Sequence, residues 1–370
     1  SPDPVAWPDG LRPLADEVRA LGMEFGLWVE PEMINEDSDL ARAHPEWILR
    51  AGPELPPRYR FQQVLDLTQP AAFDHVLGVL NGLIEDVGVS YLKWDHNRDL
   101  IAAGHPASGA PAVHEQTLAV YRLIDELRRR HPDLEIESCA SGGGRVDLGI
   151  LERTDRIHPS DSHDPHDRFG ILRWTGLLVP PEMMGSHVAS PVSSVTGRTH
   201  DLQFRCAVAF LGHFGIEWDI RDLDEHDRRV LGDWIARYRR HRDLIASGRT
   251  VGSGELDTAA PQVRGVVAPD RSEALFTIVT PTTSPDTIAR VRFPGLSIDR
   301  SYRVSVSGSE SFGPPWQVPA WLRESPPLGG GGTGTGPVIA GAVLSRVGLE
   351  FPTFHPDRAA VVHLAAVTPS

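Results

Sequence analysis

The sequence predicts an α/β chain: a (β/α)8 TIM barrel holding about six of its eight βα units, followed by a C-terminal antiparallel β-sandwich. Three observations carry that expectation. Short apolar segments alternate with amphipathic helical text up to about residue 245, the pattern of parallel strands joined by right-handed crossovers. Polar and charged residues gather at the C-terminal ends of successive strands, where barrel enzymes build their sites. After Gly248 the helical period gives way to short alternating runs, as in an antiparallel sandwich. A doubly wound sheet also satisfies the alternation, but the Gly-x-Gly-x-x-Gly turn that would favour it is missing after the first strand.

The elements follow in order. Helical text opens at Leu11–Leu21, and the first strand is read at Phe25–Val29. Further strands are expected at Tyr91–Trp94, Glu135–Cys139, Arg156–Ser160, Met183–His187 and Phe214–Trp218. Helices are expected between them, at Ala71–Asp86, Val113–Arg130, Leu202–Gly212 and Glu225–Ile245. The second half is read from Glu273–Val279, Ala289–Phe293, Tyr302–Val306 and Ala359–Leu364, with Gly329–Gly336 as a flexible loop. The domain boundary is placed at 248/249, giving a partial barrel over 1–248 and a sandwich over 249–370. The glycine run is no phosphate cradle, because a P-loop needs Gly-Lys-Ser/Thr.

Composition narrows the function. With 36 Lys+Arg against 50 Asp+Glu the formal net charge is −14, which argues against nucleic acid or an anionic membrane surface as the main partner. Two cysteines, Cys139 and Cys206, build neither a disulfide framework nor a zinc finger. No apolar run approaches the ~20 residues that span a bilayer. Lys93 is the single lysine among the 36 basic residues. It closes an apolar strand, where an unpaired ammonium is costly, so a role beside carboxylates or substrate hydroxyls outweighs a surface charge.

The chemistry-bearing residues sit at strand ends: Trp28-Val-Glu30-Pro-Glu32, Lys93-Trp94-Asp95-His96-Asn97, Glu137-Ser-Cys139-Ala-Ser-Gly142, and Ser160-Asp161-Ser-His163-Asp164. Two aspartates on separate strand ends, among aromatic, hydroxyl and glycine residues, fit the paired carboxylates of glycoside hydrolysis. The plain alternative for each is a helix cap, and Asp219 and Asp222 are read as caps outright. Cys139 alone reads as a small buried hydrophobe. The run Asp161–Asp167 holds metal-ligating residue types without a recognised framework, and its default reading is solvated loop charge.

Over residues 7–250 these motifs resemble glycoside hydrolase family 36, the microbial retaining α-galactosidases. The resemblance rests on GLWVEPEM (Gly26–Met33), VLDL (Val64–Leu67), YLKWDHNR (Tyr91–Arg98), ESCASGGGRVDLGIL (Glu137–Leu151) and SDSHDPHDR (Ser160–Arg168). It continues in PPEMMGSHV (Pro180–Val188), TGR (Thr196–Arg198) and HFGIEWDI (His213–Ile220). It implies that Asp95 is the nucleophile and Asp161 the acid/base, with Lys93 and Asn97 bonding sugar hydroxyls and Lys93 helping to keep Asp95 ionised. Cys139 and Gly142 would line the 2-hydroxyl position, Trp28 would wall the pocket, and Arg60 would reach the substrate. His158 stands where the family has Trp, altering leaving-group binding or stacking. Val192-Ser-Ser-Val195 replaces the usual Asn-His-Gln.

The resemblance also implies that the chain is a C-terminal portion, lacking an N-terminal β-sandwich and the first two barrel strands. The expected activity is double-displacement hydrolysis of terminal α-D-galactosyl units, as in raffinose and melibiose, without metal or other cofactor. The expected partner is a small-molecule α-galactoside, with no nucleic acid or membrane and with homo-oligomers of the longer parent. Two lone cysteines fit a cytoplasmic location. The alternatives are an α-N-acetylgalactosaminidase, a galactosyl-transferring relative, or an inactive sugar-binding polypeptide.

Overall fold

The computed structural model describes residues 3–106, 108–252, 261–283, 288–308, 316, 318–328, 336–353 and 355–367. The chain divides into two compact units, Ser1–Asp161 and Ser162–Ser370.

The first unit runs α1 (Arg12–Ala20), β1 (Gly26–Val29), β2 (Met33–Asn35), α2 (Asp39–Ala43), β3 (Gln62–Val64), α3 (Pro70–Gly82), β4 (Tyr91–Trp94), α4 (Val113–Arg130), β5 (Glu135–Ser138), α5 (Leu148–Leu151) and β6 (Arg156–Ile157). Its main sheet is parallel, in the order β1-β4-β5-β6. Helices cover it through a core of Leu92, Trp94 and Ile136 from strands and Leu80, Leu123, Ile124 and Leu127 from α3 and α4. Each fully buried side chain of this type contributes ~1.5–3 kcal/mol of hydrophobic stabilisation.

Local chemistry explains where this unit departs from expectation. Helix α4 matches its expected span, because its buried residues Ala119, Val120, Leu123, Ile124 and Leu127 recur at helical spacing. The helix expected at Ala71–Asp86 is α3 followed by a π-helical turn at Leu83–Val87, which stops at Gly88 with φ +80°, a left-handed cap that glycine adopts without penalty. Strand β6 ends at Ile157, short of Ser160, since Pro159 has no N–H to extend a ladder. The antiparallel pair β2–β3 joins three residues to three, too few to leave a periodic trace.

The second unit holds α6 (Pro165–Thr175), β7 (Gly185–Ala189), α7 (Leu202–Ala209), β8 (His213–Glu217) and α8 (Glu225–Ser247), then β9 (Arg249–Gly252), β10 (Gln262–Val267), β11 (Glu273–Thr280), β12 (Ile288–Val291), β13 (Ser301–Ser307), α9 (Ala320–Arg323), β14 (Val338–Ala340), β15 (Leu349–Pro352) and β16 (Arg358–Val367). Strands β7 and β8 are parallel, giving, with the four of the first unit, the six expected barrel strands. Strand β7 starts later than expected because Pro180 and Pro181 initiate a 3-10 turn. Helix α6 was not anticipated, as its polar and apolar residues do not form a clean stripe.

The later strands form an antiparallel sheet ordered β14-β13-β16-β11-β10-β9 and a two-stranded ladder, β12–β15. Val291 and Phe351 from the ladder share a core with Phe276, Val304 and Val362 from the sheet, so the two layers pack as expected of a sandwich. The opposite side of the sheet packs on α7 and α8 through Phe210, Trp234, Val266 and Leu275. The glycine run Gly329–Gly336 lies outside the described residues except for Gly336. Among the described residues, no helix is long and apolar enough to cross a membrane.

Candidate active site

Strand register builds the site. Trp28 on β1 is level with Lys93 on β4, Lys93 with Glu137 on β5, and Glu137 with Arg156 on β6. Side chains two residues apart share a face, so Glu30, Asp95, Cys139 and His158 form the next row on that face. The backbone carries the register past the strand ends: Asp95 N donates to Val29 O at 2.9 Å, Cys139 N to Trp94 O at 2.8 Å, and His158 N to Ser138 O at 2.8 Å. Five expected site residues, Trp28, Lys93, Asp95, Cys139 and His158, thus come from two adjacent rows.

Asp95 is 6% exposed and caps no helix. Its Oδ2 accepts from Trp28 Nε1 at 3.0 Å and Asn97 Nδ2 at 2.7 Å, and its Oδ1 from His96 N at 2.8 Å. Burial opposes its charge, but the donors Trp28, Asn97 and Cys139 together with the His96 amide hold its carboxyl below the usual range. The carboxylate is therefore ionised at neutral pH. The ammonium of Lys93, expected to assist in this, lies 3.9 Å from Glu137 Oε1. Burial and the hydrogen bond to Asp95 push the Cys139 thiol up to about 12. Cys139 is consequently an S–H donor to Asp95 at neutral pH, and no nucleophile itself.

Asp161 differs in setting. Its side chain is 51% exposed, and Oδ1 lies 3.4 Å from Nε2 of the fully buried His158. The other ring nitrogen of His158 is 3.9 Å from Glu137 Oε1. His158, expected to alter leaving-group binding or stacking where the family has Trp, is thus buried beside Asp161 and Glu137. The turn at Ser141–Gly142 ties the carboxylates together. Ser141 N lies 3.4 Å from Asp95 Oδ1, while a Cβ on Gly142 would sit 2.6 Å from Ser160 Cα and 2.9 Å from Asp161 N. Gly142 has φ +80° and donates its N–H to Cys139 Sγ at 3.4 Å. Only glycine meets both demands.

Three acidic residues stand in the strand-end motifs without a role assigned from the sequence. Glu30 accepts from Asn97 Nδ2 at 2.5 Å and from Gln62 Nε2 at 2.6 Å, fixing the amide that holds Asp95. Glu137 accepts from Tyr91 Oη at 2.5 Å; burial and Glu137 together raise the Tyr91 phenol, so it remains a donor. Glu32 is buried and takes Trp94 Nε1 at 2.8 Å, Arg145 at 2.9 Å and His96 at 3.2 Å. Burial alone would raise its carboxyl, but Arg145 and His96 hold it far below the carboxylate range. Glu30 and Glu137 could have been found from the period of two, since each stands two residues from an expected site residue.

Arg60 is not brought to this layer. It lies exposed in a turn with φ 52°, its guanidinium 6.0 Å from the Tyr59 ring. A cavity of about 590 Å³ adjoins the carboxylates. Tyr59, Asn97, Tyr121, Ser141 and Arg145 line it, while Asp95 and Asp161 do not. The run beyond Asp161 is not the solvated loop charge of its default reading: Asp164 is fully buried and the segment opens helix α6. Asp164 caps α6 through His166 N at 2.9 Å, Asp167 pairs with Arg198 at 2.5 Å, and His163 pairs with Glu217 at 3.2 Å. Asp219 caps a 3-10 turn at Ile220–Asp222, and Asp224 rather than Asp222 caps α8.

Comparison with known proteins places this geometry in context. The melibiase family profile matches residues 3–248, and the glycosyl hydrolase family 36 C-terminal domain matches residues 262–364. The alpha-galactosidase of Escherichia coli is 38% identical over 371 residues, covering 98% of this chain and 50% of that protein. Alpha-galactosidase AgaA of Geobacillus stearothermophilus is 34% identical over 311 residues, covering 81% of this chain and 42% of its own length. Among solved structures, the alpha-galactosidase from Lactobacillus brevis has a TM-score of 0.86 at 27% identity, covering 100% of this chain and 48% of that one. A variant of AgaA in complex with raffinose has a TM-score of 0.84 at 30% identity, covering 97% of this chain and 47% of that one. The chain spans about half the length of these relatives.

Proposed function

Because the chain belongs to the melibiase family, in glycoside hydrolase family 36, we propose that it carries both catalytic carboxylates of a retaining α-galactosidase. The fold is that family's barrel domain followed by its C-terminal antiparallel sheet. The observation that carries the proposal is the contrast between the two aspartates: Asp95 is buried under four donors, whereas Asp161 is half exposed beside His158.

In the first step Asp95 Oδ attacks the anomeric carbon of an α-galactoside, and the glycosidic bond breaks as Asp161 delivers its proton to the leaving oxygen. In the second, Asp161 takes a proton from water, whose oxygen displaces Asp95 and restores the α configuration. Trp28, about half exposed, forms a wall for the sugar, while Lys93 and Asn97 bond its hydroxyls. Cys139 and Gly142 crowd the 2-hydroxyl position, which favours galactose over its N-acetylated relative. The adjoining cavity offers room for further sugar units, consistent with relatives solved with raffinose and stachyose. The functional division at 248/249 is supported by the two family matches. A reducing, cytoplasmic compartment suits the two buried thiols.

The test is azide rescue of aspartate variants with 4-nitrophenyl α-galactoside. Asp95→Ala should lose turnover and regain it with azide, giving the inverted β-galactosyl azide. Asp161→Ala should give the retained α-azide. An inactive native chain would sink the sufficiency of this half, and a retained azide from Asp95→Ala would sink the nucleophile assignment.

A further inference from the structure

A second cluster of titratable groups lies far along the sequence from these carboxylates, in the second unit. His241 on α8, Glu273 at the start of β11 and His363 on β16 converge, with one ligand atom from each lying within 4.8 Å of the others. Nδ1 of His241 is 3.4 Å and Nε2 of His363 is 2.6 Å from the same oxygen, Glu273 Oε1. The imidazole rings are 4.6 Å apart. His241 is 5% exposed, and its Nε2 has no hydrogen-bond partner among the described residues. The ring is therefore oriented from its Nδ1 side alone, toward the carboxylate.

The same unit provides a contrast. His163 and His187 also share a glutamate, Glu217, but each takes its own oxygen, at 3.2 Å and 2.7 Å. There each imidazole has a carboxylate oxygen to itself. At Glu273 both imidazoles face the same oxygen, which brings three ligand atoms within 4.8 Å of one another around a point where one cation can sit. Two imidazoles and a carboxylate are a ligand set for zinc, with a water completing the tetrahedron. Ligand atoms in such a site are separated by about 3.3 Å, given Zn–N and Zn–O bonds of about 2.0–2.1 Å. The His241–Glu273 spacing already fits; the His363–Glu273 contact must open by about 0.7 Å. The Glu273 side chain is 39% exposed, which gives the ion and its water a route in.

We propose that His241, Glu273 and His363 form a zinc site, with water as the fourth ligand, that clamps α8 to strands β11 and β16. The ion would bind the metal-ready forms of the ligands, neutral imidazoles and carboxylate, and stabilise the folded unit by mass action. It stands apart from the glycosidase chemistry and does not depend on it.

The experiment uses the full chain, stripped with EDTA and titrated with Zn2+ at neutral pH by equilibrium dialysis with elemental analysis. One zinc per chain is expected, with affinity reduced at least tenfold in His363→Gln and Glu273→Gln and unchanged in His187→Gln. Saturating Zn2+ should raise the melting temperature of the native chain by a few degrees and leave that of His363→Gln unmoved. Should the variants not fold, Co2+ loading of the native chain decides. Intense visible absorption typical of tetrahedral coordination supports the site, and weak octahedral-type absorption overturns it. The proposal also fails if the native chain binds no zinc at micromolar concentration, or if His187→Gln rather than His363→Gln abolishes binding.

Discussion

Alanine at position 142 meets two separate obstacles, and other glycines of the same unit allow them to be measured one at a time. Gly142 has φ +80°, and a Cβ there would lie 2.6 Å from Ser160 Cα. The left-handed conformation costs a non-glycine residue ~1–2 kcal/mol. Forcing a methyl against backbone that cannot rotate away adds ~1–3 kcal/mol of overpacking. Together they predict a loss of ~2–5 kcal/mol for Gly142→Ala. Gly109, with φ +68° and nothing within 4 Å of its Cβ position, isolates the conformational part. Gly143 has no positive φ but would place a Cβ 2.6 Å from Pro159 O, isolating the clash. Urea unfolding of the three alanine variants, followed by tryptophan fluorescence, should rank Gly142→Ala as most destabilised and near the sum of the other two. Because the clash falls on the backbone of Ser160 and Asp161, Gly142→Ala should also lose more kcat than KM on 4-nitrophenyl α-galactoside, while Gly109→Ala keeps both. A Gly142→Ala variant no less stable than Gly109→Ala would refute the close approach of the two strand ends.

Three further outcomes follow from the carboxylates and thiols. Trp28→Phe keeps a ring but removes an N–H from Asp95, so the acid limb of the kcat/KM profile should move to higher pH; an unmoved limb would contradict the role given to the indole. Arg145→Ala leaves Glu32 buried without its main countercharge, a loss of ~3–5 kcal/mol in urea unfolding. Since the folded-state pKa of Glu32 is depressed, its contribution is complete above the unfolded value of ~4.3 and is lost as pH falls below it, so the variant should show a flatter acid slope. Cys139, buried and with its thiol raised to about 12, should resist iodoacetamide at neutral pH until the chain is unfolded, as read by peptide mass spectrometry.

Much of this layout is legible in the sequence, and the part that is not has physical causes. Strands such as Tyr91–Trp94 end in chemistry-bearing residues, so the text itself announces where the sheet stops and the site begins. Asp95, Asn97, Cys139, Gly142, His158 and Asp161 all stand at such ends and come together at one edge of one sheet. Arg60, which the resemblance assigns to the substrate, lies exposed in a turn where it and Phe61 both take positive φ. Neighbour relations across strands are what single-chain text hides most. That Lys93 faces Glu137, and that His158 is buried against Asp161, depend on register between segments more than 40 residues apart in one case and on packing in the other. The cluster on Glu273 is hidden more deeply still, since its members come from one helix and two strands with no motif linking them.

The single lysine is best understood through that register. Along the row Trp28, Lys93, Glu137 and Arg156, neighbouring strands lie ~4.8 Å apart, so each charged residue must answer to the one beside it. Arg156 is occupied elsewhere: it pairs with Glu135 at 2.7 Å and stacks 5.0 Å from the Tyr91 ring. Glu137 is therefore left with Tyr91 on one oxygen and with Lys93 and His158 facing the other, both at 3.9 Å. At that distance Lys93 supplies charge without a direct hydrogen bond, and its three N–H groups stay available above the sheet. A guanidinium would instead present a planar fork suited to taking both carboxylate oxygens, displacing the tyrosine hydroxyl and spending its donors within the sheet. In a chain that writes its other basic residues as arginine, an ammonium at this point keeps Glu137 neutralised while leaving donors for a ligand, which is the requirement the proposed galactose hydroxyls impose.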